Sequence, residues 1–96
     1  MEKRDIIKKL NEFLPIIKDK YHIKNMGVFG SYIRDEADES SDLDILVEFD
    51  DPIGLLQFIE LENYLSDFIG IKVDLVSKKA LKPRIGSYIL KEVVNI

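Results

Sequence analysis

The chain has no cysteine, a single histidine and no apolar run near the length of a membrane span. The missing cysteines exclude disulfides and thiolate metal sites. His22 alone cannot build an imidazole cluster, so any metal held here is held by carboxylates, which favours hard ions such as magnesium or manganese. A bilayer span needs roughly 20 consecutive apolar residues. The opening MEKRDIIKKL alternates charged and apolar residues and lacks the apolar stretch of a signal peptide. The expected compartment is therefore the cytoplasm. A surplus of positive charge is missing too: 14 Lys and Arg stand against 18 Asp and Glu, for a net charge of −4. A protein built to grip nucleic acid is usually basic on at least one face, so a dedicated DNA or RNA binder is not expected. Repeats, linkers and low-complexity stretches are also absent.

What is present is 96 residues, 46% of them apolar and 33% charged. That suits one small domain over residues 1–96, with a modest core to which a partner covering apolar surface would be no surprise.

The elements follow from periodicity. Ile6, Leu10, Phe13, Leu14 and Ile17 recur at helical spacing, with Pro15 expected to kink or restart that helix. Asn25–Phe29 and Leu43–Phe49 read as strands, separated by the polar loop DEADESS at 35–41. Asp50-Asp51-Pro52 reads as a helix start, with an acidic cap and proline in the first turn, for a helix over 53–69 that Gly70 stops. Residues 71–77 form another strand, 78–83 a basic connection, and 84–94 a last helix weakened by Gly86. The order helix, strand, strand, helix, strand, helix predicts a small α/β or α+β domain, one sheet with helices against it, of which α+β is the class expected here.

The chemistry concentrates in GSYIRDEADESSDLDILVEF, residues 30–49. Asp42 and Asp44 stand two apart at the mouth of a strand, so their carboxylates share a face. Like charges that close repel unless a cation lies between them. Asp74 interrupts the apolar run Val73–Val76, where an uncompensated carboxylate is costly to bury. With strands 43–49 and 71–77 side by side, the three aspartates could hold one or two hard cations, as phosphoryl and nucleotidyl displacements require. Gly30 at a strand end allows close backbone approach, and Ser31 adds a hydroxyl and an amide at a possible helical turn, a suitable phosphate cradle.

This ordered set resembles the nucleotidyltransferase superfamily related to DNA polymerase beta: Gly30-Ser31, then Asp42-Leu43-Asp44, then Asp74. Gly30, Ser31, Arg34, Ser41, Asp42, Asp44 and Val47 resemble, more narrowly, the pattern of the minimal nucleotidyltransferases, or MNT domains. The resemblance implies a small mixed sheet flanked by helices. It implies transfer of a nucleoside monophosphate from a triphosphate, with two magnesium ions as cofactors and ATP as substrate. Asp42 and Asp44 would coordinate both ions. Asp74 would complete the catalytic metal and help deprotonate the acceptor. Gly30 and Ser31 would hold the terminal phosphates. Read from the residues, Arg34 either contacts a triphosphate or orients the loop, or else pairs on the surface with Asp35, Glu36 or Asp38. Many MNT proteins are antitoxins to a HEPN-domain toxin, a helical ribonuclease, and some transfer AMP to its tyrosine. The expected partners are thus a HEPN toxin and a nucleoside triphosphate, with no membrane and no nucleic acid. The alternative is an antitoxin that neutralises the toxin by binding and occlusion alone. Transfer onto RNA is disfavoured by charge and size.

Other features have simpler readings. Lys78, Lys79, Lys82 and Arg84 form a solvated cluster or, less simply, a patch facing phosphate. His22 reads as a surface residue, and Glu48 follows the Asp44 alternation without an assigned role.

Overall fold

The computed structural model describes residues 1–96. Helix α1 (Lys3–Ile17) buries Ile6, Leu10, Phe13 and Ile17 on one stripe. Pro15 lies inside it and does not break it. Pro15 and Asn11, whose carbonyl loses its partner to the proline, are both exposed, so water can satisfy that carbonyl. The Lys18 amide then bonds Leu14 O at 2.9 Å, carrying the helical pattern past the proline.

The chain turns at Tyr21, whose ring is fully buried and whose hydroxyl donates to Glu60 Oε1 at 2.8 Å. Strand β1 (Ile23–Phe29) then pairs antiparallel with β2 (Leu43–Phe49), with an irregularity between Ile23 and Asn25. Helix α2 (Leu55–Ile69) buries Leu61, Leu65 and Ile69 and ends at Gly70, whose φ of 80° suits a left-handed cap. The expected acidic cap at Asp50-Asp51-Pro52 is not formed: the helix begins after Gly54, without a side-chain cap. Asp50 is still tied to the strand pair, its amide donating to His22 O at 2.9 Å, so it is not free to start a helix.

Strand β3 (Val73–Ser77) runs parallel to β2. A 3₁₀ turn (Lys78–Ala80) leads to α3 (Pro83–Glu92), with proline in its first turn. The last expected helix stops at Glu92, because residues Val94–Asn95 form a short strand, β4, against β1. The sheet order is β3-β2-β1-β4, mixed in direction. This is the α+β arrangement, one of the two that the element order allows and the class expected.

The sheet has two unlike faces. Met26, Val28, Leu43, Ile45, Val47, Val73 and Leu75 join the α1 and α2 stripes in one apolar cluster. Phe13 stacks on Phe68 at 3.9 Å between ring centres and meets Tyr64 edge-on at 5.2 Å, joining the two helices. Every buried residue but the glycines is apolar, so chemistry must sit on the other face, which carries Gly27, Asp44, Leu46, Glu48 and Asp74 by alternation. Val93, just after α3, closes over Gly27, where a Cβ would come within 2.5 Å of Val93 Cγ2. The outer edge of β3 is also satisfied: Val73 N–H donates to Ser66 Oγ and Leu75 N–H to Glu62 Oε2, at 2.9 and 2.8 Å. Helix α2 thus caps an edge that would otherwise invite pairing. No helix is long and apolar enough to cross a membrane.

Candidate active site

Two pairings bring the sequence-predicted residues to one end of the sheet. In the antiparallel pair, Phe29 lies opposite Asp44, which sets Gly30 beside the start of β2. In the parallel pair, Asp44 lies opposite Asp74. Each aspartate sits between buried residues, Leu43 and Ile45 for one, Val73 and Leu75 for the other. Both side chains therefore leave the core face together, on strands roughly 5 Å apart. Asp42 is exposed and precedes β2 by one residue, on the Asp44 side.

The three carboxylates act on one another. The Asp44 carboxyl is pushed up to about 6, first by its burial, then by the negative charges of Asp74 and Asp42. Arg34 opposes this and Glu92 adds to it. Hard oxygen donors that crowd each other in this way fit a divalent cation, which would relieve the repulsion. In the conformers adopted here no three acidic side chains close to ligating distance around one point.

Gly30 completes the floor of the site. Its φ is +80°, a conformation that disfavours side chains, and a Cβ there would collide with Asp44 Oδ2. After it the chain makes one helical turn: the amides of Ile33 and Arg34 both donate to Gly30 O, at 3.0 and 3.1 Å, and Glu36 N–H to Ser31 O at 2.9 Å. The amides of Ser31 and Tyr32 donate to no backbone carbonyl in this turn. They and the half-buried Ser31 hydroxyl suit an anion. The polar loop then closes on itself, with Ser40 N–H and Oγ bonding Asp38 Oδ1 at 2.8 and 2.6 Å. These bonds hold the Asp38 carboxyl below the usual carboxylate range.

Arg34 lies beside the same turn. Of its expected surface partners only Glu36 is near, at 3.5 Å. Its main partner is Glu92, from the end of α3: Nη1 donates to Oε1 and Oε2 at 3.1 and 3.0 Å. Glu92 Oε2 also accepts the Gly30 amide at 2.6 Å. Sequence reasoning missed Glu92. One signal was available: a carboxylate in the last turn of a helix opposes the helix dipole and calls for a positive or donating partner. Lys78, by contrast, pairs with Glu48 at 3.6 Å, and Glu48 also accepts from Asn25 at 2.9 Å. That group lies near the far end of β2, roughly 13 Å along the strand from Asp44.

The nucleotidyltransferase domain family matches residues 10–96. The chain is 49% identical over 80 residues to the protein adenylyltransferase MntA of Thermococcus cleftensis, covering 83% of this chain and 81% of that one. It is 50% identical over 92 residues to a Methanocaldococcus jannaschii protein provisionally described as a protein adenylyltransferase, covering 96% and 88%. Among solved structures, a protein described provisionally as a minimal nucleotidyltransferase superposes with a TM-score of 0.84 at 32% identity, covering 100% of this chain and 97% of that one. A chain from a toxin–antitoxin complex solved with AMP-PNP shares the fold, with a TM-score of 0.72 at 23% identity over 99% of this chain and 72% of that one. A domain family that takes in nearly the whole sequence, and relatives at half identity over most of it, show where the chain stands: it belongs to the nucleotidyltransferase domain family, among its minimal nucleotidyltransferases.

Proposed function

We propose that the protein is a magnesium-dependent adenylyltransferase that moves AMP from ATP to a hydroxyl, of tyrosine type, on a HEPN toxin, and so acts as its antitoxin. The observation that carries this reading is the meeting of Asp44 with Asp74 across β2 and β3, directly against Gly30. The relatives named as protein adenylyltransferases support the reaction class. The toxin–antitoxin complex with AMP-PNP, and a further fold relative from a complex of a tri-AMPylated HEPN toxin with its MNT antitoxin, support the partner.

Each residue then has a task. The Gly30 turn, with the Ser31 hydroxyl and the amides that follow it, grips the terminal phosphates, and Arg34 supplies positive charge. Asp42, Asp44 and Asp74 hold magnesium, which when bound neutralises phosphate charge in the displacement. Asp74 receives the proton of the acceptor hydroxyl, the hydroxyl oxygen bonds to the α-phosphorus, and the bond to the β-phosphate oxygen breaks to release pyrophosphate.

The test uses ATP labelled at the α-phosphate, magnesium, this protein and its toxin partner. Label should move to the toxin, and Asp44→Asn should abolish transfer by more than about a hundredfold while leaving the fold intact. Full transfer by that variant would sink the proposed role. Neutralisation by occlusion is the second reading, favoured by the exposed Leu55, Leu56, Ile85 and Tyr88. It predicts that Asp44→Asn still silences the toxin, through a stable complex and without label.

A further inference from the structure

Glu92 occupies two donors at the turn read above as the phosphate cradle, the Gly30 amide and the Arg34 guanidinium, and leaves the Ser31 and Tyr32 amides untouched. Its Oε2 takes the Gly30 amide at 2.6 Å, and both of its oxygens take Arg34 Nη1. A carboxylate held by an amide and a guanidinium uses the same charge-assisted donors that bind a phosphate oxygen. The residue is not a loose surface group: its side chain is 27% exposed. It also brings a fourth negative charge to a site already crowded by three aspartates.

The element that carries Glu92 is lightly held. Helix α3 has Gly86 as its buried residue, while Ile85, Tyr88 and Leu90 are exposed. Beyond it β4 spans two residues, paired through Gly27–Asn95 and Val28–Val94, and the Ile96 amide adds one bond to Met26 O at 2.9 Å. Segments with few buried apolar contacts sit at the low end of local stability and open first. The bonds to Gly30 and Arg34 join the packing of Val93 over Gly27 and of Ile96 against the core in fastening the end of α3.

We infer that Glu92 is a latch on the nucleotide site: its carboxylate stands in for a phosphate on Gly30 and Arg34, and nucleotide binding displaces it and loosens the C-terminal segment. This rests on the reading of Gly30 and Arg34 as phosphate donors. The competition has a definite consequence. A latch closed in most free molecules lowers apparent nucleotide affinity by the fraction that is open, and by linkage nucleotide weakens the C-terminal attachment by the same factor.

The test is calorimetric titration of AMP-PNP with magnesium into the full chain and into Glu92→Gln and Glu92→Ala. It is joined to hydrogen exchange of the Ile96 amide in the unsubstituted protein, with and without AMP-PNP. The latch predicts binding about tenfold tighter in both variants, the gain for removing a closed state about nine-tenths populated. It also predicts faster Ile96 exchange on adding nucleotide. Unchanged or weaker binding in the variants would overturn it, marking Glu92 as a support for Arg34. Tighter binding with unchanged Ile96 exchange would also overturn it, leaving Glu92 a repelling charge only. Asp44→Asn, measured alongside, separates the two levels: equal binding by that variant and the unsubstituted protein, or no binding by any form, removes the nucleotide site itself and the latch with it.

Discussion

The Asp44 carboxylate fills the space that a side chain on residue 30 would need. Gly30 and Asp44 are thus a fitted pair, and the left-handed φ of +80° adds a second demand for glycine. Gly30→Ala should lose about 1–3 kcal/mol in urea unfolding, the usual scale of backbone strain at such a position. It should also displace Asp44, so AMP-PNP binding should fall with stability. A variant of full stability and full affinity would mean that the turn relaxes freely.

Asp44 should set a pH dependence of stability in the metal-free protein. Its carboxyl titrates near 3.8 when unperturbed and about 6 in the fold. The fold therefore prefers the protonated form. Below about pH 4 both states are protonated and nothing is lost; between about 4 and 6 stability falls as pH rises; above about 6 the full penalty applies. With solvent screening allowed for at this half-exposed site, the penalty is on the order of 1 kcal/mol. Asp44→Asn should accordingly be the more stable protein at pH 7.5, by thermal unfolding in a chelator, with the difference vanishing near pH 4. A less stable variant at pH 7.5 would contradict the crowding.

The outer edge of β3 should depend on Ser66. Its hydroxyl donates to Glu62 O at 2.9 Å and accepts from Val73 N–H at 2.9 Å. Ser66→Ala leaves a partly buried amide unpaired, which costs about 1–3 kcal/mol. Urea unfolding measures the loss, and hydrogen exchange should show it first at the Val73 amide.

Pro15 offers a stabilising change. It is exposed within α1 and forfeits one helical bond. Pro15→Ala restores the bond and a strong helix former, against a gain in unfolded-chain freedom of roughly 0.4–1 kcal/mol. The net expectation is a rise of about 1 kcal/mol in unfolding free energy. A fall would show that the proline ring orients the end of the helix.

The sequence made the core elements and the aspartates legible for a common reason: their signals are local. Alternation around Asp44 and Asp74 gives the face, and the run Val73–Val76 gives the strand. What stayed hidden depends on pairing at a distance. The acidic tripeptide after β2 looks like a helix cap until Asp50 is seen bonded to His22. Strand β4 is too short for any period to register, and exists because β1 offers it an open edge. The Arg34–Glu92 pair joins residues 58 apart in the chain, so Arg34 could be matched only to its neighbours in the loop.

Strand β2 divides its work by parity. Its odd positions Leu43, Ile45 and Val47 belong to the core cluster, and its even position Asp44 belongs to the site. Deleting one residue inside β2 would exchange the two roles, sending a carboxylate inward and a leucine or isoleucine to the face that carries Asp74. The loop before it, bonded to itself through Asp38 and Ser40, carries no such frame. Variation in length is therefore open to the descendants of this chain between Arg34 and Ser41, and closed to them one residue past Asp42.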